Sequence, residues 1–332
     1  MTPQNWVTIA ANSLRDTTAF PPLAPGEVHI WRASQAVEPD VLSRLDATLN
    51  SAEKARAARF VYARDRDRFI AASGILRELL AAYIGCAPAQ IEFDRGPRGK
   101  PSLRAAGSPS RVDPAHASRF NREEVTLDPA GASRFHRAEE SPPDRAEQSR
   151  SNRAEMSRFD RAEKASRIRF NVSHSQGLAA FAFALDRELG VDVEQIRENF
   201  GGEQIARHYF SPDEVAELMS LPPETRAEAF FLCWTRKEAY IKARGEGLYI
   251  SLASFSVSLT PGAPERLRAD DASRWELRSF QPKEGYAGAV MVEAAASSSS
   301  SPASLTGSSA GSPISSSAAE SSLSLRFFDL RP

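Results

Sequence analysis

The chain has 332 residues, 41% of them hydrophobic and 26% charged, with a net charge of −1. That is the profile of an ordinary soluble protein with enough core for one large or two modest domains. Near-neutral charge excludes whole-molecule attraction to nucleic acid or anionic membrane, and no run approaches the roughly 20 apolar residues of a bilayer span.

Cys86 and Cys233 are the two cysteines; they make neither a disulfide framework nor a metal-ligand spacing. The first residues lack a basic region followed by an apolar core, so no signal peptide and a reduced, cytoplasmic setting are expected. Along the chain, EVHIWRA (Glu27 to Ala33) alternates apolar and polar residues as a half-buried strand does. Helices are predicted over Ala52–Phe60 and Phe69–Ile84, the second with Phe69, Ile75, Leu76, Leu79, Leu80 and Tyr83 on one face. IEFDRGPRGKP reads as a short strand turning through Gly96, Pro97 and Gly99.

Composition then shifts. From Ser102 to Arg167 the text is rich in Arg, Ala, Glu and Ser, and NREE, HRAE, DRAE, NRAE and DRAE begin at Asn121, His136, Asp144, Asn152 and Asp160. The last four starts are 8 residues apart, which fits neither a heptad nor a solenoid unit. Few aliphatics mean little apolar surface to offset chain entropy, so a long insertion, disordered or loosely helical, is expected. Its basic and acidic residues nearly balance, which argues against a nucleic-acid tail.

After the insertion, Ile168–Ser173, Leu178–Leu185 and Gly190–Glu194 are predicted strands, followed by helices over Ile205–Phe210, Pro212–Leu221 and Arg226–Arg244. LASFSVSLT, WELRSFQP, YAGAVMVEA and SLRFFDL read as late strands. Between the last two lies a Ser/Ala tract, Ala294 to Ser322, with the composition of a flexible loop. The expected fold class is α+β: an N-terminal lobe over 1–103, the insertion over 104–167, and a C-terminal lobe over 168–332.

Several charged residues carry chemistry. Asp192 and Glu194 are two apart in GVDVE, so on a strand both carboxylates emerge on one side. The pair is either a solvent-facing acidic patch or part of a cation site. Hard oxygen ligands suit Mg²⁺, which keeps several waters and takes one or two carboxylates plus substrate phosphates. In FFLCWTRKEAYIKARGEGL, Glu238 and Lys242 are i and i+4 on one helix face. They form an ordinary surface salt bridge unless their apolar neighbours desolvate them. His174 in NVSHS is either a hydrogen-bonded turn residue or a phosphate donor. Lys54, Arg56, Arg59, Arg64, Arg66 and Arg68 make either a charged helix surface or a phosphate-binding one.

Five motifs in order give a more specific reading: GKP (Gly99–Pro101), FNVSHS (Phe170–Ser175), GVDVE (Gly190–Glu194), FSPDE (Phe210–Glu214) and WTRKEAYIKARGEGL (Trp234–Leu248). Together they resemble the 4′-phosphopantetheinyl transferase superfamily, and are most similar to its monomeric two-lobed type that activates surfactin synthetase. The resemblance runs from about Ser51 to Val257, insertion excluded. It implies two pseudo-symmetric α/β lobes with coenzyme A in the cleft between them. It also implies Mg²⁺-dependent transfer of 4′-phosphopantetheine from coenzyme A to a serine of an apo acyl or peptidyl carrier protein, releasing 3′,5′-ADP. On this resemblance Asp192, Glu194 and Glu238 are metal ligands, and Glu238 is also the general base toward the carrier serine. Lys242 belongs on the α-phosphate side of the pyrophosphate. Ser173 and His174 contact phosphate, Lys100 lies near the nucleotide, and Lys54 and Arg68 hold the adenosine and its 3′-phosphate. The chain departs from the family at Ala57, where a second basic residue is usual; Arg56 stands beside it. Trp234 is expected to pack, and Lys237 is left without a role.

Overall fold

The structure is a computed structural model, and it describes residues 4–15, 20–96, 98–104, 159–198, 202–295 and 323–331. Most of the expected insertion, residues 105–158, and most of the Ser/Ala tract, residues 296–322, lie outside the described residues. The strands are β1 (Trp6–Ala10), β2 (Glu27–Ser34), β3 (Phe93–Arg95), β4 (Pro101–Leu103), β5 (Ile168–Ser175), β6 (Leu178–Leu185), β7 (Leu189–Gln195), β8 (Ser256–Val257), β9 (Leu267–Arg268), β10 (Trp275–Phe280), β11 (Tyr286–Glu293) and β12 (Ser324–Arg331). The helices are α1 (Pro39–Asp46), α2 (Ser51–Ala57), α3 (Ala63–Ile84), α4 over residues 159–167, α5 (Gly202–Tyr209), α6 (Pro212–Ser220) and α7 (Pro223–Arg244).

Two sheets carry the architecture, in the orders β1-β12-β2-β6-β5 and β10-β11-β7. Strand alternation decides what each face meets. On β6, Ala179, Phe181 and Phe183 turn toward α3, in one core with Trp31, Leu79 and Phe328. The intervening Ala180, Ala182 and Ala184 turn the other way, onto Val191, Val193, Val290 and Val292 of the second sheet. On β11, Ala287, Ala289 and Met291 pack under α7 with Phe231 and Tyr240. The layers therefore run α3, first sheet, second sheet, α7. Each 22-residue helix follows two short ones and stops at a left-handed glycine, Gly85 (φ 81°) and Gly245 (φ 68°). This is the pseudo-symmetric α+β arrangement expected.

Several boundaries differ from the expectation for identifiable reasons. α3 begins at Ala63, six residues before Phe69, because ARDRDR is helical with its Arg64–Asp65 and Arg66–Asp67 pairs in solvent. Residues 159–167, at the end of the tract expected to be disordered or loosely helical, form α4, with Ala165 buried in the first core. LASFSVSLT forms a strand only at Ser256–Val257; Leu252 and Phe255 instead turn their carbonyls onto the Lys237 ammonium, at 2.7 and 2.6 Å. The first sheet also draws β5, β6 and β12 from the later half of the chain to pair around β2.

Candidate active site

FSPDE is a helix start. Ser211 caps α6 by accepting from the Glu214 amide at 3.3 Å, Pro212 opens the helix, and Glu214 returns to the Ser211 amide at 2.8 Å. Glu214 Oε2 also meets Lys237 Nζ at 2.8 Å, with both side chains 2% exposed or less. Lys237 thus ties α7 to α6 and to the loop before β8. Its ammonium lies 4.2 Å from the centre of the Phe255 ring, a cation–π contact. Its role is internal. Trp234 stacks on Phe230 and meets Phe210 and Tyr209, the packing expected of it.

The opposite side of α7 lies directly on β7. At Gly190 a Cβ would fall 2.2 Å from the Ala239 carbonyl oxygen and 2.3 Å from the Ala243 amide, so only glycine admits the helix this close. Because Val191 and Val193 enter the core between the sheets, Asp192 and Glu194 share Gly190's face, toward α7. The approach at Gly190 delivers Lys242 to β7: its Nζ donates to Asp192 Oδ1 at 2.7 Å and to the Val191 carbonyl at 3.2 Å. Asp192 is 4% exposed, and its second oxygen, Oδ2, is buried without a hydrogen-bond partner.

The three carboxylates influence one another. Burial raises the pKa of Glu238, and the charge of Asp192 and then that of Glu194 add to it, with Lys242 opposing. Burial likewise raises that of Glu194, with Asp192 adding to it and the Ser175 hydroxyl, Lys242 and Arg197 opposing. Among the described residues no three His, Cys, Asp or Glu groups stand close enough to enclose a metal ion. The set is an open one. It fits a hydrated hard cation that completes its shell with ligand oxygens, and the buried, unpartnered Asp192 Oδ2 is an acceptor ready for one.

Beside the carboxylates lies a cavity of about 690 Å³ between α3 and the end of β5, lined by Arg56, Arg68, Phe69, His174, Gln176 and Gly177 among others. His174 stands at its rim, its pKa lowered by desolvation first and then by Lys242 and Arg68. The imidazole is therefore neutral near pH 7, with one ring nitrogen able to donate.

The second half of the chain, residues 188–291, matches the 4′-phosphopantetheinyl transferase superfamily, and residues 31–121 match the 4′-phosphopantetheinyl transferase N-terminal family. The 4′-phosphopantetheinyl transferase HetI of Nostoc sp. is 34% identical over 270 residues, which cover 81% of this chain and 89% of the relative. The chain belongs to the 4′-phosphopantetheinyl transferase superfamily. It is an enzyme of the transferase class. Sfp of Bacillus subtilis is 30% identical over 122 residues, 36% of this chain and 53% of that one. Among solved structures, the holo-[acyl-carrier-protein] synthase of Thermotoga maritima matches at 22% identity over 32% of this chain and 62% of its own, with a TM-score of 0.27.

Within this phosphopantetheinyl transferase the expected site residues divide. Asp192, Glu194, Glu238 and Lys242 converge where β7 meets α7, and Arg68 and His174 line the adjoining cavity. Ser173 is buried, its hydroxyl donating to Asp192 Oδ1 at 2.7 Å and accepting from the Val193 amide at 3.3 Å, so it faces the carboxylates. Lys100 lines a different cavity, its ammonium held by Glu188, the Leu189 carbonyl and the Ala243 carbonyl at 2.7, 3.2 and 3.1 Å. All three of its protons are engaged. Lys54 is outside the 690 Å³ cavity and pairs with Asp46 at 3.6 Å. Arg56 lines the cavity instead, while Ala57 is 4% exposed in the core, where a basic side chain would have no outlet. The sequence singles out Arg56 only as one of a basic stretch, and Ser175 not at all as a site residue. The signal for Arg56 was its place beside the departure at Ala57.

Proposed function

We propose that this transferase moves 4′-phosphopantetheine from coenzyme A to a serine hydroxyl of an apo acyl or peptidyl carrier protein, leaving 3′,5′-ADP. The observation that carries the reading is the meeting of Asp192, Glu194, Glu238 and Lys242 beside a cavity large enough for a nucleotide and lined by Arg56, Arg68 and His174. Arg68 and Arg56 pair with anionic oxygens of the donor. His174 donates a ring N–H to phosphate.

In the transfer, the seryl oxygen bonds to the phosphorus that carries pantetheine. The bond from that phosphorus to the bridging oxygen breaks, and the electron pair leaves with 3′,5′-ADP. The serine proton passes to Glu238, whose raised pKa makes its carboxylate a better acceptor. Lys242 stabilises the charge that develops on the departing phosphate. Asp192, Glu194 and Glu238 are the residues that would hold Mg²⁺, which when bound supplies charge neutralisation at the pyrophosphate. The same reading takes the enzyme as a cytoplasmic monomer; among the described residues no helix is long and apolar enough to cross a membrane.

The test is mass spectrometry of apo fatty acid, polyketide and nonribosomal peptide carriers after incubation with enzyme, coenzyme A and Mg²⁺. Gain of a phosphopantetheinyl mass that requires all three is expected. No gain on any carrier overturns the proposal.

A further inference from the structure

β5 ends the first sheet and β7 ends the second, and these two edges face each other without a backbone ladder between them. The outward amides of β7 still need acceptors. Side chains of β5 supply them. Asn171 Oδ1 accepts from the Val191 amide at 3.0 Å, Ser173 Oγ from Val193 at 3.3 Å, and Ser175 Oγ from Gln195 at 3.2 Å. Each contact spans 20 residues of sequence, a parallel register kept by side chains.

A serine hydroxyl accepts and donates at once. Having accepted from β7, each has one proton left, and both aim it at a carboxylate: Ser173 at Asp192 Oδ1 (2.7 Å) and Ser175 at Glu194 Oε2 (2.6 Å). Accepting from the backbone takes one of the two lone pairs of the hydroxyl oxygen, and the carboxylate is the partner of its proton. The alternation of β5 explains SHS: the two serines turn to β7 while His174, between them, turns to the other face, and His174 and Ser175 both line the cavity.

We infer that Ser175 is a positioning residue for Glu194, fixing that carboxylate for a divalent cation through a bond anchored on the Gln195 amide. The inference rests on the cation-binding reading above. Ligating carboxylates are held by such hydrogen bonds, and loss of one weakens metal binding by roughly 10–100-fold.

The experiment titrates full-length protein with Mn²⁺ in the presence of coenzyme A, following free Mn²⁺ by electron paramagnetic resonance. Wild type, Ser175→Ala, Ser175→Thr, Glu194→Gln and the Ser175→Ala/Glu194→Gln double variant are compared. Ser175→Ala is expected to weaken Mn²⁺ about tenfold, and Ser175→Thr, which keeps a hydroxyl, to restore it. In the Glu194→Gln background the serine substitution should add no further loss. A further loss of similar size there, or unchanged Mn²⁺ affinity in Ser175→Ala, overturns the positioning role while leaving the cation site intact. Should Ser175→Ala not fold, Ser175→Thr binding Mn²⁺ as weakly as Glu194→Gln overturns it too. Wild type that takes up no Mn²⁺ overturns the cation reading itself, and this inference with it.

Discussion

Lys242 Nζ donates to Asp192 Oδ1 at 2.7 Å, while Oδ2 of the same carboxylate is buried with no hydrogen-bond partner. One oxygen is therefore held by the protein from two sides, by Lys242 and by Ser173, and the other is left open. Lys242→Met should leave Asp192 with a single donor and cost about 1.5–3 kcal/mol of stability, since hydrogen bonds to charged groups contribute in that range. Transfer should fall on the order of 10²–10³-fold, as for other losses of an electrostatic stabiliser. Urea unfolding and carrier mass gain measure the two effects separately. A variant that loses stability yet keeps full rate would remove Lys242 from the chemistry.

Glu238 and Glu194 have pKa values raised by burial and by neighbouring carboxylates. The folded state thus holds more protons than the unfolded one. The two groups stabilise fully below the ordinary carboxylate range, and that contribution is lost as pH rises through their raised values. Glu238→Gln removes one of the crowded charges. Its melting temperature should exceed that of wild type near about pH 7.5, with the difference vanishing near about pH 4. Transfer at neutral pH should drop by about 10²–10⁴-fold, the usual contribution of a general base. Equal melting temperatures at the higher pH would contradict the crowding; undiminished transfer would sink the base assignment.

The neighbouring Lys237, in the same motif, should behave in the opposite way. Its buried ion pair with Glu214 is anchored by two carbonyls, so Lys237→Met leaves Glu214 charged, buried and short of a donor. A loss of about 3–5 kcal/mol is expected. The protein that remains folded should keep the wild-type KM for coenzyme A, because Glu214, Leu252, Phe255 and Phe210, the polar and ring partners of Lys237 among the described residues, do not line the 690 Å³ cavity. Denaturant titration and steady-state kinetics on the folded fraction check this. A selective KM change at unaltered stability would mean that Lys237 reaches the substrate.

The contrast between Lys237 and Lys242 marks how far sequence could be read. The D-x-E pair sharing one face followed from strand alternation, and Glu238 with Lys242 from helical spacing; both rest on local periodicity. The partner of Lys237 did not follow, because Glu214 lies in the preceding helix, beyond local periodicity, in a motif that itself reads as a helix cap. The pairing of β12 with β2 was closed for the same reason: strand pattern gives a face but no neighbour. The serine stitching has a signal in the sequence. N-x-S-x-S stands at a constant offset from V-D-V-E-Q, and two polar alternations in register are what a side-chain ladder requires. Lys54 and Lys100 were placed at the ligand by motif alone, and both are engaged elsewhere.

That last difference can be tested at the α2 side of the cavity. Arg56 lines it, with its guanidinium 5.1 Å from the centre of the Phe69 ring, whereas the neighbouring Ala57 is buried and Lys54 points to Asp46. A guanidinium resting on an aromatic ring keeps its edge free for bidentate pairing with phosphate. If Arg56 supplies the charge that Ala57 lacks, Arg56→Ala should weaken coenzyme A by roughly 10–100-fold, the equivalent of one charged hydrogen bond of about 1.5–3 kcal/mol. Lys54→Ala should stay within about twofold, as expected for an exposed pair. Calorimetry with coenzyme A and with its analogue lacking the 3′-phosphate locates the contact. A loss confined to coenzyme A puts Arg56 at the 3′-phosphate; an equal loss with both ligands puts it at the pyrophosphate. The reverse ranking, with Lys54→Ala the weaker binder, would show that Lys54 leaves Asp46 when the ligand arrives.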